Sequence, residues 1–288
     1  MVADSQSHSA FRSESASRWL AVDVGNSRVK FGVFDSPSGR ESLPECSLFL
    51  TTDALGHFDW NQLQNALGDD SFRSVLVGSN QKGVDAVLAA WPNELQQTSQ
   101  TVFRDSTQFP LEIDVEAPRR VGLDRLLTAV AANRVRSPDE VAVVVDCGTA
   151  TNVDVVSAEG VFLGGAILPG FELSARALNQ YTEVLPFVSI DELAATDSQG
   201  QHAPLGRNTH AAISSGIFWG QVGAVRELVA RQAAACSPGS SPQVFLTGGG
   251  AELLSPFLDQ SRQYPYLALQ GLVVAAQVQS CLTTEDDA

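Results

Sequence analysis

Residues Val141–Asp154 read VAVVVDCGTATNVD. Four valines and an alanine run into Asp146, Cys147-Gly148 begins a tight reversal, and an alternating run leaves from Asn152 to Val156. A short run rich in β-branched residues favours a buried strand. Asp146 then stands at the strand end, where a glycine lets the backbone approach a ligand closely. The pattern occurs once more near the start, in Trp19–Phe34, WLAVDVGNSRVKFGVF. There an apolar strand ends in Asp23, Gly25 turns the chain, and Val29, Phe31 and Val33 share one face of the departing strand.

Working outward, each Asp-tipped hairpin opens a half of similar layout. After the first come strand candidates Ser47–Thr51, Ser74–Gly78 and Thr101–Phe103, with helix candidates Asn61–Leu67 and Val84–Trp91, the latter stopped by Pro92. Phe109–Arg120 carries two prolines and mixed charge and reads as a linker or active-site loop. In Gly122–Val135, Leu123, Leu126, Leu127, Val130 and Ala131 fall on one helical face. The second half has strands at Val141–Asp146, Thr151–Val156 and Val161–Ile167, a helix over Phe171–Asn179 and a polar loop, Asp191–Arg207. A long helix over Thr209–Cys236, a strand at Gln243–Thr247 ending in three glycines, and a closing helix Leu272–Cys281 complete it. The order predicts an α/β fold in which two similar domains face each other across a cleft. Boundaries fall at 19–120 and 121–288, after a Ser-rich tail, 1–18, that reads as disordered and dispensable.

Composition narrows the function. The 288 residues are 44% apolar, with no run near the ~18 residues of a membrane span. A net charge of −15 disfavours nucleic acid and anionic lipid. Four cysteines form no C-x-x-C pair and imply reduced thiols in the cytoplasm. The tail lacks the apolar core of a secretory signal. The four histidines are scattered, and G-x-S-x-G, H-E-x-x-H and Walker motifs are absent.

The chemistry gathers at a few motifs. Turns that present successive backbone N–H groups bind anions, and an adjacent carboxylate holds a hard cation such as Mg²⁺. The two hairpins would grip a polyphosphate from both sides, with Ser27 and Lys30 contributing from the first, and Thr149 and Thr151 from the second. Asp124, in PRRVGLDR, falls in the first helical turn, where the dipole favours an acid, and follows a proline-bounded loop where a base would reach an acceptor. Arg125 beside it would meet an acceptor carboxylate through paired hydrogen bonds. GGAILPG (Gly164–Gly170) lets a strand end pass close to a ligand or another chain, and Gly248–Gly250 would lie against adenosine.

Together DVGNS (Asp23–Ser27), GLDR (Gly122–Arg125), DCGTAT (Asp146–Thr151), GGAILPG, GRNT (Gly206–Thr209) and LQGL (Leu269–Leu272) resemble, in order, the motif series of the type III pantothenate kinases. The resemblance runs from Trp19 to Cys281. It implies the duplicated ribonuclease H-like fold of the actin, Hsp70 and sugar kinase superfamily, and ATP-dependent phosphorylation of pantothenate, the first step of coenzyme A synthesis. By resemblance, Asp124 is the proton acceptor, and Gly122, Leu123, Asp124, Arg125 and Thr209 contact substrate. Asp23, Val24, Gly25, Asn26, Ser27, Arg28, Val29 and Lys30 form the first ATP phosphate loop, Thr149 contacts ATP, and Asp146 binds a monovalent cation, K⁺ or NH₄⁺. A need for Mg²⁺ and a homodimer with pantothenate near the subunit interface are implied as well.

Val115 stands where this family commonly has a substrate-contacting tyrosine, and Ser27 replaces the usual threonine. The alternatives are a non-catalytic regulator like the family's accessory transcription factors, or a kinase of another small hydroxy acid.

Overall fold

The computed structural model describes residues 18–25, 28–36, 39, 41–53, 58–68, 72–78, 81–92, 100–195, 202–237, 239 and 241–285. The Ser-rich tail, apart from Arg18, lies outside them; Arg18 itself opens the first strand and pairs with Asp35 at 3.3 Å.

Two sheets are built to one plan. The first comprises β1 (Arg18–Val24), β2 (Val29–Asp35), β3 (Glu45–Thr52), β4 (Phe72–Gly78) and β5 (Gln100–Phe103), in the order β3-β2-β1-β4-β5. The β1–β2 and β2–β3 pairs are antiparallel, while β4 and β5 are parallel to β1. The parallel crossovers carry α1 (Trp60–Leu67) and α2 (Gln81–Ala89). The next elements are β6 (Glu112–Ile113), α3 (Leu123–Val135), β7 (Ala142–Cys147), β8 (Ala150–Val156), β9 (Val161–Pro169), α4 (Phe171–Gln180), α5 (Ile190–Ala194) and α6 (Thr209–Cys236). β10 (Gln243–Thr247), α7 (Ala251–Leu254), β11 (Arg262–Gln263) and α8 (Leu267–Glu285) close the chain. The second sheet runs β11-β10-β7-β8-β9-β6. Without its edge strand β6 it repeats the first sheet's order and pairing sense strand for strand.

β6 and α8 cross the expected boundary at residues 120 and 121. β6 pairs in parallel with β9, so the proline-bounded loop feeds a strand to the second sheet. α8, the last helix, packs on α3 and on β1, β2 and β4 of the first sheet. Gly271, read as lying just outside the closing helix, is inside it. A Cβ there would stand 1.9 Å from the Leu127 carbonyl oxygen, so the glycine that weakens the helix locally lets α8 touch α3 backbone to backbone.

The same contact changes α3. Its expected single apolar face is joined by buried Thr128, Ala129 and Ala132, because α3 is covered on more than one side. α3 and α8 share one core with Trp19, Val75 and Val77 of the first sheet and Val144, Phe162 and Phe245 of the second. The first sheet's other face packs on α1 and α2, the second's on α4 and α6. The polar loop Asp191–Arg207 contains a short helix that was not expected, α5, because Ser189 and Glu192 cap one another's backbone N–H groups.

Candidate active site

The acidic residues of the two hairpins and of α3 converge. Asp23 lies opposite Lys30 across the β1–β2 ladder, with Lys30 Nζ 3.5 Å from Asp23 Oδ2. Asp146 lies between Asn152 of β8 and Thr247 of β10. Beyond Thr247, Gly248 has φ +88°, and a Cβ on it would come within 2.6 Å of Asp146 Oδ1. Only glycine combines that conformation with that approach, so the glycine-rich turn packs directly on the second hairpin. Asp124 sits in the first turn of α3. Its carboxylate folds back over Gly122, where a Cβ would stand 2.5 Å from Asp124 Oδ1.

The acids influence one another's ionisation. Burial pushes Asp146 up to about 6; Lys30 opposes the shift, and Asp124, Asp23 and Asp154 add to it. Burial likewise raises Asp23, with Lys30 opposing and Asp124 reinforcing. Among the described residues Lys30 is the cation that moderates both hairpin acids. Asp146 has no hydrogen-bond or ion-pair partner of its own there.

Three acids around one lysine suit added positive charge. No group of three acidic, histidine or cysteine side chains among the described residues is close enough to hold a metal by itself.

Beside the acids lies a cavity of about 410 Å³, within the range of small-ligand pockets. Lys30, Asp146, Gly248, Gly249 and Tyr266 are in its wall, together with the exposed Arg28. First hairpin, second hairpin and glycine-rich turn therefore share one space.

The remaining predicted residues are distributed unevenly. Val24 is core and Val29 packs against it, the two facing each other across the β1–β2 ladder. Gly25 N–H donates to the Arg28 carbonyl at 3.0 Å, closing the turn, whereas Asn26 and Ser27 lie outside the described residues. Thr149 is exposed on the second turn, and its carbonyl accepts from the Gly170 N–H at 3.0 Å, so the GGAILPG segment braces that turn. Leu123 is a core residue. Thr209 is the exposed first residue of α6.

Two expectations change. Thr151 does not offer its hydroxyl to the cleft: it is fully buried, and Gln221 Nε2 donates to its Oγ1 at 2.6 Å. Thr149 lies in the turn that precedes β8, whereas Thr151 is already inside that strand and packed inward. Arg125 is already engaged by Asp154, an acid not singled out from the sequence. Its signal was an aspartate within the valine-rich run Val153–Val156, where an unpaired charge would be costly. Tyr266 was missed as well, since nothing local marks a residue just before a helix as a cavity wall.

A twice-repeated β3-β2-β1-β4-β5 plan, with both hairpins contributing to the wall of one cavity, is the duplicated ribonuclease H-like, actin-like fold. A solved structure described as a conserved Baf family transcriptional activator from Campylobacter jejuni has the same fold, with TM-score 0.56 and 17% identity over 91% of this chain and 98% of that one.

The chain belongs to the type III pantothenate kinase family, whose sequence model matches residues 19–231. It is 33% identical over 260 residues to the type III pantothenate kinase of Legionella pneumophila strain Corby, covering 90% of this chain and 98% of the relative. It is 32% identical over 257 residues to that of Geobacter sulfurreducens, with 88% and 96% covered. The protein is a kinase.

Proposed function

We propose that the protein transfers the γ-phosphoryl group of ATP to the primary alcohol of pantothenate, giving 4′-phosphopantothenate and ADP in the first step of coenzyme A synthesis. The observation that carries this reading is the convergence of Asp23, Asp146 and Asp124 beside one cavity, in a chain of this family.

Phosphoryl transfer through a loose transition state asks the protein mainly for alignment and charge neutralisation. The adenosine end of ATP takes the cavity flanked by Gly248, Gly249 and Tyr266. Its phosphates run toward the Asp23–Lys30 turn and Thr149, with Lys30 and Arg28 as cations. Asp124 aligns the acceptor hydroxyl. As the alcohol oxygen bonds to the γ-phosphorus and the bond to ADP breaks, the hydroxyl proton passes to the Asp124 carboxylate. Asp146, half-buried and without an ion-pair partner among the described residues, would hold K⁺ or NH₄⁺, and Asp23 would hold Mg²⁺; bound there, these ions would supply countercharge for the triphosphate.

Gly122 and Leu123 contribute backbone at the acceptor site, and Arg125 contributes its guanidinium. Thr209, exposed at the start of α6, contributes to the acceptor pocket near a subunit interface. A homodimer is supported by the apolar side chains on β9 and just beyond α4: Ile167 is 63% exposed, Tyr181 80% and Val184 84%. No helix among the described residues is long and apolar enough to cross a membrane, and we place the enzyme in the cytoplasm.

The test is coupled ADP release with Mg²⁺, K⁺ and a panel of hydroxy acids. Pantothenate-dependent turnover is expected. Nucleotide binding without turnover on any acceptor would favour a regulator, and turnover on another acid alone would reassign the substrate.

A further inference from the structure

The Arg125–Asp154 pair has a geometry that its burial makes informative. Arg125 Nε lies 3.1 and 3.0 Å from the two oxygens of Asp154, and Nη2 also donates to Oδ1. Asp154 thus occupies the side edge of the guanidinium. A guanidinium carries five N–H donors in a planar fork. Nη1, with the second hydrogen of Nη2, forms a further edge, and Nη1 has no hydrogen-bond partner among the described residues.

The two partners differ in access. The Asp154 side chain is 1% exposed and that of Arg125 15%, so a ligand arriving from solvent meets the guanidinium and not the carboxylate.

The surroundings are shaped for this pair. Gly165 of β9 lies opposite Asp154 of β8, and a Cβ on it would stand 2.4 Å from Asp154 Oδ1 and 2.1 Å from the Val153 carbonyl oxygen. Glycine at that position makes room for the carboxylate. The Arg125 guanidinium carbon is 5.6 Å from the centroid of the Phe162 ring. An acid on one edge and a ring nearby restrict an otherwise flexible side chain. Arg125 adjoins Asp124 in the first turn of α3 and feels its charge.

We infer that Asp154 is a positioning residue: it holds the side edge of Arg125 so that the free edge presents two parallel N–H donors to the carboxylate of the acceptor, with the acceptor hydroxyl toward Asp124. The inference rests on the pantothenate kinase reading and deepens it. Asp154 touches no substrate; it acts by pre-organising the side chain that does, which lowers the ordering cost of binding.

The experiment compares two acceptors: pantothenate, and its alcohol analogue in which CH₂OH replaces the carboxylate. In the parent protein kcat/KM favours pantothenate. In Asp154→Asn that preference is expected to fall roughly tenfold to a hundredfold, through KM for pantothenate, as befits loss of a well-oriented charged hydrogen-bond pair. A merely structural role would weaken both acceptors alike and leave the ratio unchanged, which overturns the inference. Arg125→Lys covers the case of a poorly folded Asp154 variant: it keeps a charge for Asp154 but removes the planar fork, and should lose the same preference. An Arg125→Lys protein with the parent's ratio would equally overturn the inference. If the parent turns over neither acceptor, the kinase reading itself fails and takes the inference with it. Parent turnover with an unchanged ratio in the variants removes the inference alone.

Discussion

The two hairpins are copies in topology but not in charge. In the first, Asp23 faces Lys30 across the ladder at 3.5 Å. In the second, the residue opposite Asp146 is Asn152, and burial with three nearby acids pushes Asp146 up to about 6. Their bracing differs as well. Gly170 and Gly248 pack the second turn from both sides, whereas the first turn is closed by its own Gly25–Arg28 hydrogen bond. A duplicated element has thus diverged into one half whose acid faces a lysine and one half whose acid faces an asparagine.

Substitutions can break the comparison. The largest effect is expected outside both hairpins: Asp124→Asn should lower kcat by 10²–10⁴-fold, the range for loss of a positioned general base, with ATP affinity measured by calorimetry nearly intact. Next, Lys30→Gln should reduce kcat/KM for ATP by tens of fold, because both hairpin acids lose their moderating cation. Asp146→Asn should instead flatten the dependence of rate on K⁺ concentration. Equal K⁺ response curves in the two variants would show that the hairpins are electrostatically equivalent and end the comparison.

A pH measurement sharpens it. Burial pushes Asp146 up to about 6, above the ordinary aspartate value of 3.8, so the folded protein holds this proton more tightly than the unfolded chain. For a carboxylate raised in this way, stability is lost as pH rises from about 4 to about 6, then levels off. Roughly two units at 1.36 kcal/mol each give a ceiling of about 3 kcal/mol. Nucleotide-free Asp146→Asn without added K⁺ is therefore expected to melt a few degrees above the parent at pH 7.5, with the gap closing as pH falls toward 5. Asp23→Asn, which removes half of an ion pair, should show a smaller gain or none. A lower melting temperature for Asp146→Asn at pH 7.5 would contradict the reading of Asp146 as an uncompensated charge.

The smallest effect expected on turnover, with a clear one on stability, is at the joint between the halves. Gly271→Ala places a methyl against the Leu127 carbonyl and should cost about 1–3 kcal/mol, read as a lower thermal midpoint.

Much of this was legible in the chain. Apolar runs ending in Asp-x-Gly identified both hairpins, and the expected bounds of β8 and β9 hold to within two residues. An Ala-rich stretch over Thr209–Cys236 marked α6. These signals are local: period, turn residues and caps act over a few positions. What stayed hidden was non-local. Gly271 looked like a helix boundary because glycine is a poor helix former, yet it lies inside α8, where only the approach of α3 explains it. Asp154 looked like one more polar position on a strand until Arg125, 29 residues earlier, was found against it.

The amino-acid order alone determined that there are two Asp-tipped hairpins, that they recur with the same strand plan, and which acid starts α3, since propensity and periodicity are properties of short segments. Only the folded chain decided that Asp23 and Asp124 come near enough to Asp146 to raise it, that Lys30 moderates both hairpin acids, and that Thr151 faces inward while Asp154 holds Arg125. Those outcomes depend on which distant surfaces pack together, and burial and Coulomb interaction follow distance in space, not separation along the chain.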